Sequence, residues 1–521
     1  MTGFAILDCS FRDGGYYTDW DFDEDLVEAY LSSVARLPVN MVEVGYCSHP
    51  LPGYKGEWFY LGSERLKQIK ARLRADQKLC VMLDAKDCNP DGIESLLGDL
   101  VGTVDMVRMA VAPNQFGHGI ALARELKRLG FLVGFNTMYL STYSDDLSAL
   151  DPLKAGEDVI DILALVDSFG GCTPGQVAKH ITTARAMFPD TPVGFHGHDN
   201  TCMGYANAIA AAEAGAAVID ATFVGMGRGA GNTRTEMLIV HKSANGEDVD
   251  FDAVAQIVER FESLRDIYKW GANLPYMISG ASNLPQKDVM DWLGKNRYSP
   301  VSVVRALKKQ SNSVLDEQSF PDLRPNTLPQ DACDTVLIIG GGPSVTRHAN
   351  AIRTFVARSG CCVIHASPRH LDLVSDFDGQ LVCLPGNSAT RLSSDEDFAG
   401  VAGFIIPPPP RFMGTLPEGL ERPIFQAMPF PSGGADHLGP VSDIGPLALA
   451  LGAARALSAR RIYLVGFDGY GSATVAEQEL SGEIKDALDA LRASDSGLEI
   501  FSLTPTLYNV PTRSIYAEAA A

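Results

Sequence analysis

This 521-residue sequence lacks an excess of basic residues and long apolar runs. Lysine and arginine number 43 against 64 aspartates and glutamates, which gives a formal net charge of −21. Nucleic acids and anionic membranes are bound through basic patches, so we expect neither as a partner. No apolar stretch is long enough to cross a bilayer, and no charged-then-apolar leader follows Met1. These absences predict a soluble, cytoplasmic protein.

The ten cysteines lack the C-x-x-C spacing that is typical of zinc sites. Several of them, such as Cys80 and Cys383, lie within apolar, strand-like runs. We therefore expect reduced thiols in the protein core rather than disulfides or a zinc knuckle. A chain of this length with 46% hydrophobic residues is globular and long enough for two or three separate cores.

A repeated unit occupies the first half of the chain. Short runs of apolar and β-branched residues alternate with stretches such as 119–130 and 173–188, in which apolar residues return every three or four positions. Eight strands alternating with helices predict an α/β fold of the (β/α)₈ TIM-barrel type, since an open doubly wound sheet rarely has eight such units. The predicted strands are 4–10, 41–46, 79–85, 105–111, 132–138, 161–168, 192–198 and 218–225.

Polar side chains lie at or near the carboxyl ends of these runs, where TIM barrels carry their active sites. Arg108, Asn136 and Ser168 are expected to contact a substrate there. The full set of polar residues at these positions is Arg12, Asp13, Glu43, Tyr46, Asp84, Lys86, Arg108, Asn136, Asp167, Ser168, His196 and His198.

Two histidines and an aspartate in this set indicate a metal site. His196 and His198 are two residues apart on one strand, so both imidazoles point to the same side. Asp13 from the first strand can reach the same point, and the glycine-rich segment 225–232 can bring the Asn232 carbonyl oxygen close to it. Mixed nitrogen and oxygen ligands favour Mn²⁺ or Mg²⁺, with Zn²⁺ or Co²⁺ as alternatives. Histidines that only form hydrogen bonds in a loop would not explain Asp13 and the glycine-rich segment.

Three motifs resemble a known family. "DCSFRDGGY" resembles the D-x-T-x-R-D-G signature of the metal-dependent lyase and synthase (DRE-TIM) superfamily, "GFHGHDN" its H-x-H strand, and "GMGRGAGNTRTE" its eighth-strand segment. The resemblance covers about residues 1–290 and is greatest to 4-hydroxy-2-oxovalerate aldolases. It implies that Asp13, His196 and His198 bind the metal, that Asn232 is a further ligand, and that Arg12 binds the enolate oxygen.

The sequence offers several candidates for the residue that transfers a proton at the aldehyde-derived oxygen. Aldolases of this branch carry a histidine three positions beyond the metal-binding aspartate, whereas this sequence has Tyr16. A phenol is a weak base at neutral pH, so Tyr16 is expected to donate a hydrogen bond or to pass a proton through water. Tyr17, Glu43 and Tyr276 are the alternative bases. Lys86 is expected to form a salt bridge or to bind a carboxylate rather than a Schiff base.

The second half of the chain begins a new α/β pattern. Residues 1–309 are expected to form the barrel with its C-terminal helices, 310–332 a proline-containing linker, and 333–521 a Rossmann-like domain. The segment 334–360 reads as a strand, a glycine turn and a helix, a pattern that suits a nucleotide or sugar phosphate but is also that of an ordinary turn. The turn residues proposed for phosphate binding are Gly340, Gly341, Gly342 and Ser344.

Together these features predict a divalent-metal-dependent aldolase that makes or breaks a C–C bond between a pyruvate-type enolate and an aldehyde. A sugar aldehyde of surface-polysaccharide metabolism is one candidate for this aldehyde, and the protein is expected to be a homo-oligomer, in its simplest form a dimer. Two alternatives remain open at this point. The barrel could act as an acyl-CoA-dependent synthase or lyase with a regulatory C-terminal domain, or the C-terminal domain could serve only as an oligomerisation scaffold.

Overall fold

The computed structural model describes most of the chain as two compact units, Met1–Met290 and Asp291–Ala521. This division falls earlier than the predicted boundary after residue 309, which stays a prediction. The described residues are 3–294, 303–304, 307, 318–325 and 333–520, apart from gaps at 375, 386–387, 389–391, 393–397, 399, 410, 412–421, 431–444, 471–474 and 495–496.

Eight parallel strands close into a barrel in the order of the sequence, which confirms the predicted TIM-barrel fold. Each observed strand falls within or next to a predicted apolar run. The barrel closes through parallel pairing of the first strand with the eighth, with Leu7 opposite Asp220. The strands are β1 Ala5–Asp8, β2 Met41–Tyr46, β3 Lys78–Asp84, β4 Met106–Val111, β5 Leu132–Thr137, β6 Ile162–Asp167, β7 Val193–Gly197 and β8 Val218–Ala221.

Side chains of alternate strand residues fill the barrel interior in layers, as the two-residue period of a strand requires. The lowest layer is apolar and includes Leu7, Met41 and Met106. Two residues further along the strands, the side chains become ionisable. Arg108 fits in this second layer because its neighbour on β5 is Gly134, where a Cβ would lie 2.6 Å from the Arg108 Cγ.

Amphipathic helices surround the barrel and bury their apolar faces against the strands. The helix predicted at 173–188 begins with a capping box, in which the Thr173 side chain accepts a hydrogen bond from the backbone of Gln176. The helices that follow strands are α1 Ser10–Thr18, α2 Glu24–Val34, α3 Ser63–Arg72, α4 Ile93–Leu97, α5 Phe116–Leu129, α6 Pro174–Met187, α7 Gly204–Glu213 and α8 Thr235–Ala244.

The segment after β1 differs from the sequence interpretation. It reads as a flexible glycine turn, but it forms helix α1, whose first turn carries Arg12 and Asp13. Gly14 lies within this helix because the helix packs against the loop after β8, where a Cβ on Gly14 would meet the Met226 sulfur at 2.6 Å. The two functional side chains are therefore held by a helix that the barrel packing fixes.

Three further helices follow the barrel: α9 Phe251–Tyr268, α10 Leu274–Ala281 and α11 Gln286–Gly294. The Asn273 side chain caps α10, and Pro275 lies in its first turn. Most of the predicted helical continuation to residue 310 lies outside the described residues. Within the described part of the chain, no helix is both long and apolar enough to cross a membrane.

The second unit contains a seven-stranded parallel sheet. Its order is β13-β12-β11-β10-β9-β14-β15, so the chain moves outward from β9 in one direction and then returns to the other side of β9. Two of these strands, β13 and β15, were not predicted because they are short and partly polar. The strands are β9 Thr335–Ile339, β10 Cys362–His365, β11 Gln380–Cys383, β12 Val401–Ile406, β13 Ile424–Gln426, β14 Arg461–Val465 and β15 Glu499–Ser502.

Apolar residues cover both faces of this sheet. Val336 and Ile338 point to one core, and their neighbours Leu337 and Ile339 point to the other. Strands buried on both faces appear in the sequence as continuous apolar runs, which is why β9 was easy to predict. The helices of this unit are α12 Ser344–Arg347, α13 Ala349–Ser359, α14 Pro446–Ala456, α15 Val475–Ala493 and α16 Ile515–Ala520.

Two details of the second unit bear on the sequence predictions. Most of the predicted linker lies outside the described residues, but Pro321 and Leu323 pair with Gln426 of β13 through backbone hydrogen bonds of 2.9 Å.

Cys333 and Cys362 form a disulfide with Cα atoms 5.7 Å apart. The prediction of reduced thiols is wrong for this pair, because register places Cys362 at the start of β10 opposite Val336, close to Cys333, which lies two residues before β9.

Candidate active site

Six ionisable side chains in the barrel interior form a closed ring of charge contacts. Three are carboxylates and two are guanidiniums, so the ring has a net charge of −1 when its histidine is neutral. In order around the ring they are Asp13, Arg12, Glu43, Arg108, Asp220 and His196. A buried site with one excess negative charge favours the binding of a cation.

Arg108 connects Glu43 on one side of the ring with Asp220 on the other. Its Nη1 lies 3.0 Å from Glu43 Oε2, and its Nη2 lies 2.5 Å from Asp220 Oδ2. The other carboxylate oxygen of Glu43 accepts a hydrogen bond of 2.6 Å from Arg12 Nε. Burial opposes ionisation of Asp220, but the Arg108 guanidinium outweighs it and lowers the pKa of Asp220 to about 2.

The protonation of both histidines follows from their neighbours. His196 Nδ1 lies 3.0 Å from Asp220 Oδ2, and His198 Nδ1 lies 2.9 Å from the Asp167 carbonyl oxygen. Both partners are acceptors, so each Nδ1 carries the proton and each Nε2 keeps its lone pair. Burial, with the charge of His196 added to it, lowers the pKa of His198 to about 3, which keeps this imidazole neutral.

The donor atoms above the ring suit a divalent metal. His196 Nε2 lies 3.6 Å from Asp13 Oδ2, so a lone pair faces a carboxylate oxygen with no hydrogen bond between them. Burial opposes ionisation of Asp13, yet the Arg12 charge and the other cations keep its pKa below the usual value. The partners of both Nδ1 atoms orient the imidazoles as they do around bound metals. The residues therefore fit the metal ion that the sequence predicted.

Asn232 approaches this group through its side chain and not through its backbone carbonyl. Its Nδ2 donates to Asp13 Oδ2 at 2.7 Å, and its Oδ1 is buried without a hydrogen-bond partner in the described structure. The backbone carbonyl lies near Gly225. Cys9 also lies within reach of Asp13 and His196. Burial raises the pKa of the Cys9 thiol, which donates to Asp13 Oδ2 at 3.9 Å.

A cavity of about 470 Å³ opens above these residues at the carboxyl ends of the strands. Arg12, Asp13, His196 and His198 line its floor, and the walls include Asn136 and Ser168. The Asn136 Oδ1 is buried with no hydrogen-bond partner among the described atoms, so it is available to a ligand. Aromatic rings and methionines give the rest of the wall an apolar character.

Tyr16 lies in this cavity one helical turn beyond Asp13. Its hydroxyl is 3.4 Å from the Tyr46 hydroxyl, and the Arg228 guanidinium lies 4.1 Å from the centre of its ring. Burial raises the pKa of Tyr46, which keeps this neighbour protonated and able to donate a hydrogen bond. Of the proposed proton-transfer residues, Tyr16 alone is among the residues that line the cavity.

The other proposed residues occupy different places. Glu43 and Arg108 lie below the cavity floor, where they hold each other and neighbouring side chains in place. Tyr17 donates to the Gly229 carbonyl oxygen at 3.2 Å, and burial raises the pKa of its phenol to about 12. Tyr276 is buried in α10 and is not among the cavity residues. Arg108 was expected to contact the substrate, but its guanidinium pairs with the carboxylates of Glu43 and Asp220 below the cavity.

Sequence reasoning missed three residues of the site. Asp220 pairs in register with His196 across β7 and β8, and a charged residue within an apolar strand was the available signal. Arg228 lies in the glycine-rich segment that was singled out only for Asn232. Gln286 is the buried first residue of α11 and accepts a hydrogen bond of 3.3 Å from the Ala230 amide, a long-range contact that no local pattern indicates.

The glycine turn of the second unit is already engaged in hydrogen bonds. The Gly340 and Gly342 amides donate to the carbonyls of Val465 and Gly466 at 2.8 and 2.9 Å. The Ser344 amide donates to Asp468 Oδ2 at 3.0 Å. A phosphate at this turn would have to displace the Asp468 carboxylate, and Gly341 alone does not supply a site. Phosphate binding here stays a prediction.

Comparisons with known proteins agree with this geometry. The profile of the HMGL-like family matches residues 151–261, which include β6 to β8, both histidines and Asn232. The first unit also resembles the crystal structure of the N-terminal domain of a candidate aldolase from Bacteroides vulgatus, with 43% identity, a TM-score of 0.55, and coverage of 58% of this chain and 100% of that chain. Residues 151–261 of this chain therefore belong to an HMGL-like domain.

Curated relatives of this HMGL-like chain include two enzymes that act on C–C bonds. A 4-hydroxy-2-oxovalerate aldolase of Moorella thermoacetica is 28% identical over 319 residues, which cover 56% of this chain and 91% of the relative. An oxaloacetate decarboxylase of Mycobacterium tuberculosis is 26% identical over 253 residues, which cover 48% of this chain and 73% of the relative. Both similarities support a lyase activity of the barrel.

Proposed function

We propose that the barrel is a divalent-metal-dependent aldolase that makes or breaks a C–C bond between a pyruvate-type enolate and an aldehyde. The observation that carries this proposal is the cavity floor, where Asp13, His196 and His198 present a carboxylate and two imidazole lone pairs beside Arg12. A divalent ion bound there would supply a Lewis acid for the carbonyl of a 2-oxo acid.

Arg12 supplies a fixed positive charge beside the reacting carbonyl. Its guanidinium lines the cavity while Asp13 and Glu43 fix its orientation from the other side. An oxygen that becomes negative as the C–C bond breaks is stabilised by a charge that does not need to move. Asn136 and Ser168, on neighbouring strands, are placed to bind the polar groups of the same substrate.

Tyr16 is the proposed proton-transfer residue at the aldehyde-derived oxygen. It is the candidate that combines a place in the cavity with a hydroxyl neighbour, Tyr46, through which a proton can be relayed. Tyr17, Glu43 and Tyr276 have hydrogen-bonded or buried positions that do not open to the cavity. In the cleavage direction the Tyr16 oxygen would accept the hydroxyl proton of the substrate while its own phenolic proton passes to water in the cavity, so that the phenol is re-formed as the C–C bond breaks.

Decarboxylation of a 2-oxo dicarboxylate is a second candidate, because one relative is an oxaloacetate decarboxylase. Loss of carbon dioxide from such a substrate leaves the same pyruvate enolate, so the cavity floor would act identically. The two reactions differ in the second product. The aldolase alone needs a group that exchanges a proton with the aldehyde-derived oxygen, and Tyr16 occupies that place.

For the second unit we propose a Rossmann-like domain that binds a nucleotide or sugar phosphate. Its support is the strand order, which reverses beside β9 next to the glycine turn, since ligands of open parallel sheets bind at such points. Asp468 would leave the Ser344 amide when the ligand binds. A domain that binds sugar phosphates would be consistent with a sugar as the aldehyde substrate of the barrel. A rise in the melting temperature of the full chain with nucleotides or sugar phosphates is the expected result.

Two assays test the aldolase proposal. The protein with Mn²⁺ should exchange the methyl protons of pyruvate with deuterium, as measured by NMR, and should form new products from pyruvate and aldehydes or sugars, as detected by mass spectrometry. Oxaloacetate should be supplied in parallel to test decarboxylation. An Arg12→Lys variant should lose most of both rates, because a point charge does not replace the planar guanidinium. Full activity in the presence of EDTA would contradict the proposal.

A further inference from the structure

We infer that the second substrate of this site carries an anionic group, a carboxylate or a phosphate, and that Arg228 with Lys287 binds it. This inference rests on the proposed aldolase function and defines its acceptor aldehyde. Both residues line the cavity. Arg228 lies within the eighth-strand motif segment, but the family resemblance implied no role for it or for Lys287.

Arg228 differs from the other arginines of the site in its partners. Arg12 and Arg108 each contact two carboxylates, whereas Arg228 forms no ion pair with a carboxylate in the described part of the chain. Its guanidinium stacks on the Tyr16 ring and is only partly accessible to solvent. A partly desolvated cation that forms no ion pair of its own is stabilised when a ligand supplies one. Stacking uses the face of the guanidinium, so that, besides its hydrogen bond to Tyr16, further N–H groups at its edge can bind an anion.

The position of Arg228 fits the distal end of a substrate. Arg12 and Asp13 lie in the first turn of α1, and Tyr16 follows about one turn, or roughly 5 Å, further along the helix. Arg228 above Tyr16 is therefore displaced from the floor in the direction of the aldehyde. A 2-oxo acid that occupies the floor leaves Arg228 to the other substrate.

Lys287 extends the same positive region to the cavity mouth. It is exposed in the first turn of α11, next to Gln286, whose Oε1 accepts a hydrogen bond of 3.3 Å from the Ala230 amide. That bond joins the loop of Arg228 to the helix of Lys287. The cationic side chains thus follow one another from the floor to the opening.

The charges of the cavity wall support the same conclusion. Three cations line the cavity, Arg12, Arg228 and Lys287, and Asp13 is the one carboxylate among the described lining residues. Elsewhere the chain is strongly acidic, with a net charge of −21. A cavity wall of opposite sign concentrates anionic ligands. One 2-oxo acid carboxylate leaves positive charge for a second anionic group.

Carboligation with matched pairs of acceptors tests this inference. Succinic semialdehyde is compared with butanal, and glyceraldehyde 3-phosphate with glyceraldehyde, each with pyruvate and Mn²⁺. The wild-type kcat/KM should be about 10- to 100-fold higher for the anionic member of at least one pair. The pair with the larger ratio distinguishes a carboxylate from a phosphate.

An Arg228→Gln variant should reduce that ratio to near unity, mainly by raising KM, and Arg228→Lys should keep part of it. Lys287→Gln should have a smaller effect because its ammonium group is hydrated. Arg260→Gln, which removes an exposed arginine of α9, is the control for the change in net charge. A wild-type enzyme without preference for either anion would overturn the inference. So would an Arg228→Gln variant that slows both members of a pair equally, since Arg228 would then bind the 2-oxo acid.

Binding of succinate, measured by calorimetry with the Mn²⁺-loaded full chain, separates this inference from the proposed function. Succinate should bind to the wild type at least about tenfold more tightly than to Arg228→Gln. If no acceptor reacts and pyruvate does not exchange, while this difference persists, the aldolase proposal fails and the anion site stands. Equal binding of succinate by both proteins refutes the anion site whatever the activity.

Discussion

Replacing Asp220 with asparagine is the most direct test of the charge ring. Its Oδ2 accepts hydrogen bonds from Arg108 at 2.5 Å and from His196 at 3.0 Å, and its Oδ1 is buried without a partner in the described structure. The variant amide can keep one oxygen on both donors, but its NH₂ group then points to a place without an acceptor. The substitution therefore removes a charge and buries an unpaired donor.

The expected loss is about 3 kcal/mol of unfolding free energy, because each of these two effects contributes roughly 1 to 3 kcal/mol. Mn²⁺ affinity should fall about 10- to 100-fold, because Asp220 orients the His196 imidazole and supplies part of the negative charge. Both values refer to one variant and can be measured without turnover.

Urea unfolding followed by tryptophan fluorescence measures the first value, and calorimetry with Mn²⁺ measures the second. Three of the four tryptophans, Trp20, Trp58 and Trp270, lie in the barrel unit, so the fluorescence reports mainly on that unit. Asp145→Asn is the matched control, because Asp145 is exposed and pairs with Lys179 at 2.6 Å. That exposed pair should contribute little to stability, because solvent screens it. Equal stability and equal Mn²⁺ affinity in the two variants would refute the reasoning.

Three other perturbations have defined outcomes. His196→Ala should lose Mn²⁺ from the purified protein and lose activity as EDTA does, and a variant that keeps its metal content and rate would contradict the assigned ligand. Tyr16→Phe should still exchange pyruvate protons but process the full aldol at least about 10²-fold more slowly if Tyr16 is the base, against a modest loss if it only donates a hydrogen bond. Burial lowers the pKa of His365 to about 4, so the stability that this neutral imidazole contributes to the second unit is complete above pH 6.5 and decreases as the pH falls towards 4. An NMR titration that places the His365 pKa near 6.5 would exclude this effect.

Local patterns were sufficient where the structure depends on local periodicity. The eight apolar runs of the barrel predict strands because their neighbours have helical spacing, and the structure closes these strands in sequence order. Short strands with mixed polarity, β13 and β15, gave no such signal. The segment Ser10–Thr18 is helical although it contains two glycines, which have a low helix propensity. Packing against Met226 stabilises this helix.

The sequence by itself determined which chemical groups this protein has at the ends of its strands. Asp13, His196 and His198 were identifiable because each belongs to a motif at the end of an apolar run. A barrel brings the ends of such strands together. Only the tertiary structure decided how these groups are paired. Asp220 and Arg228 come from segments far from Asp13 in sequence, and their roles depend on register and burial, which no local pattern specifies. The partners of a charged group depend on distances in space. The ring of charges and the Arg228 guanidinium on the Tyr16 ring can therefore be recognised only in the folded barrel.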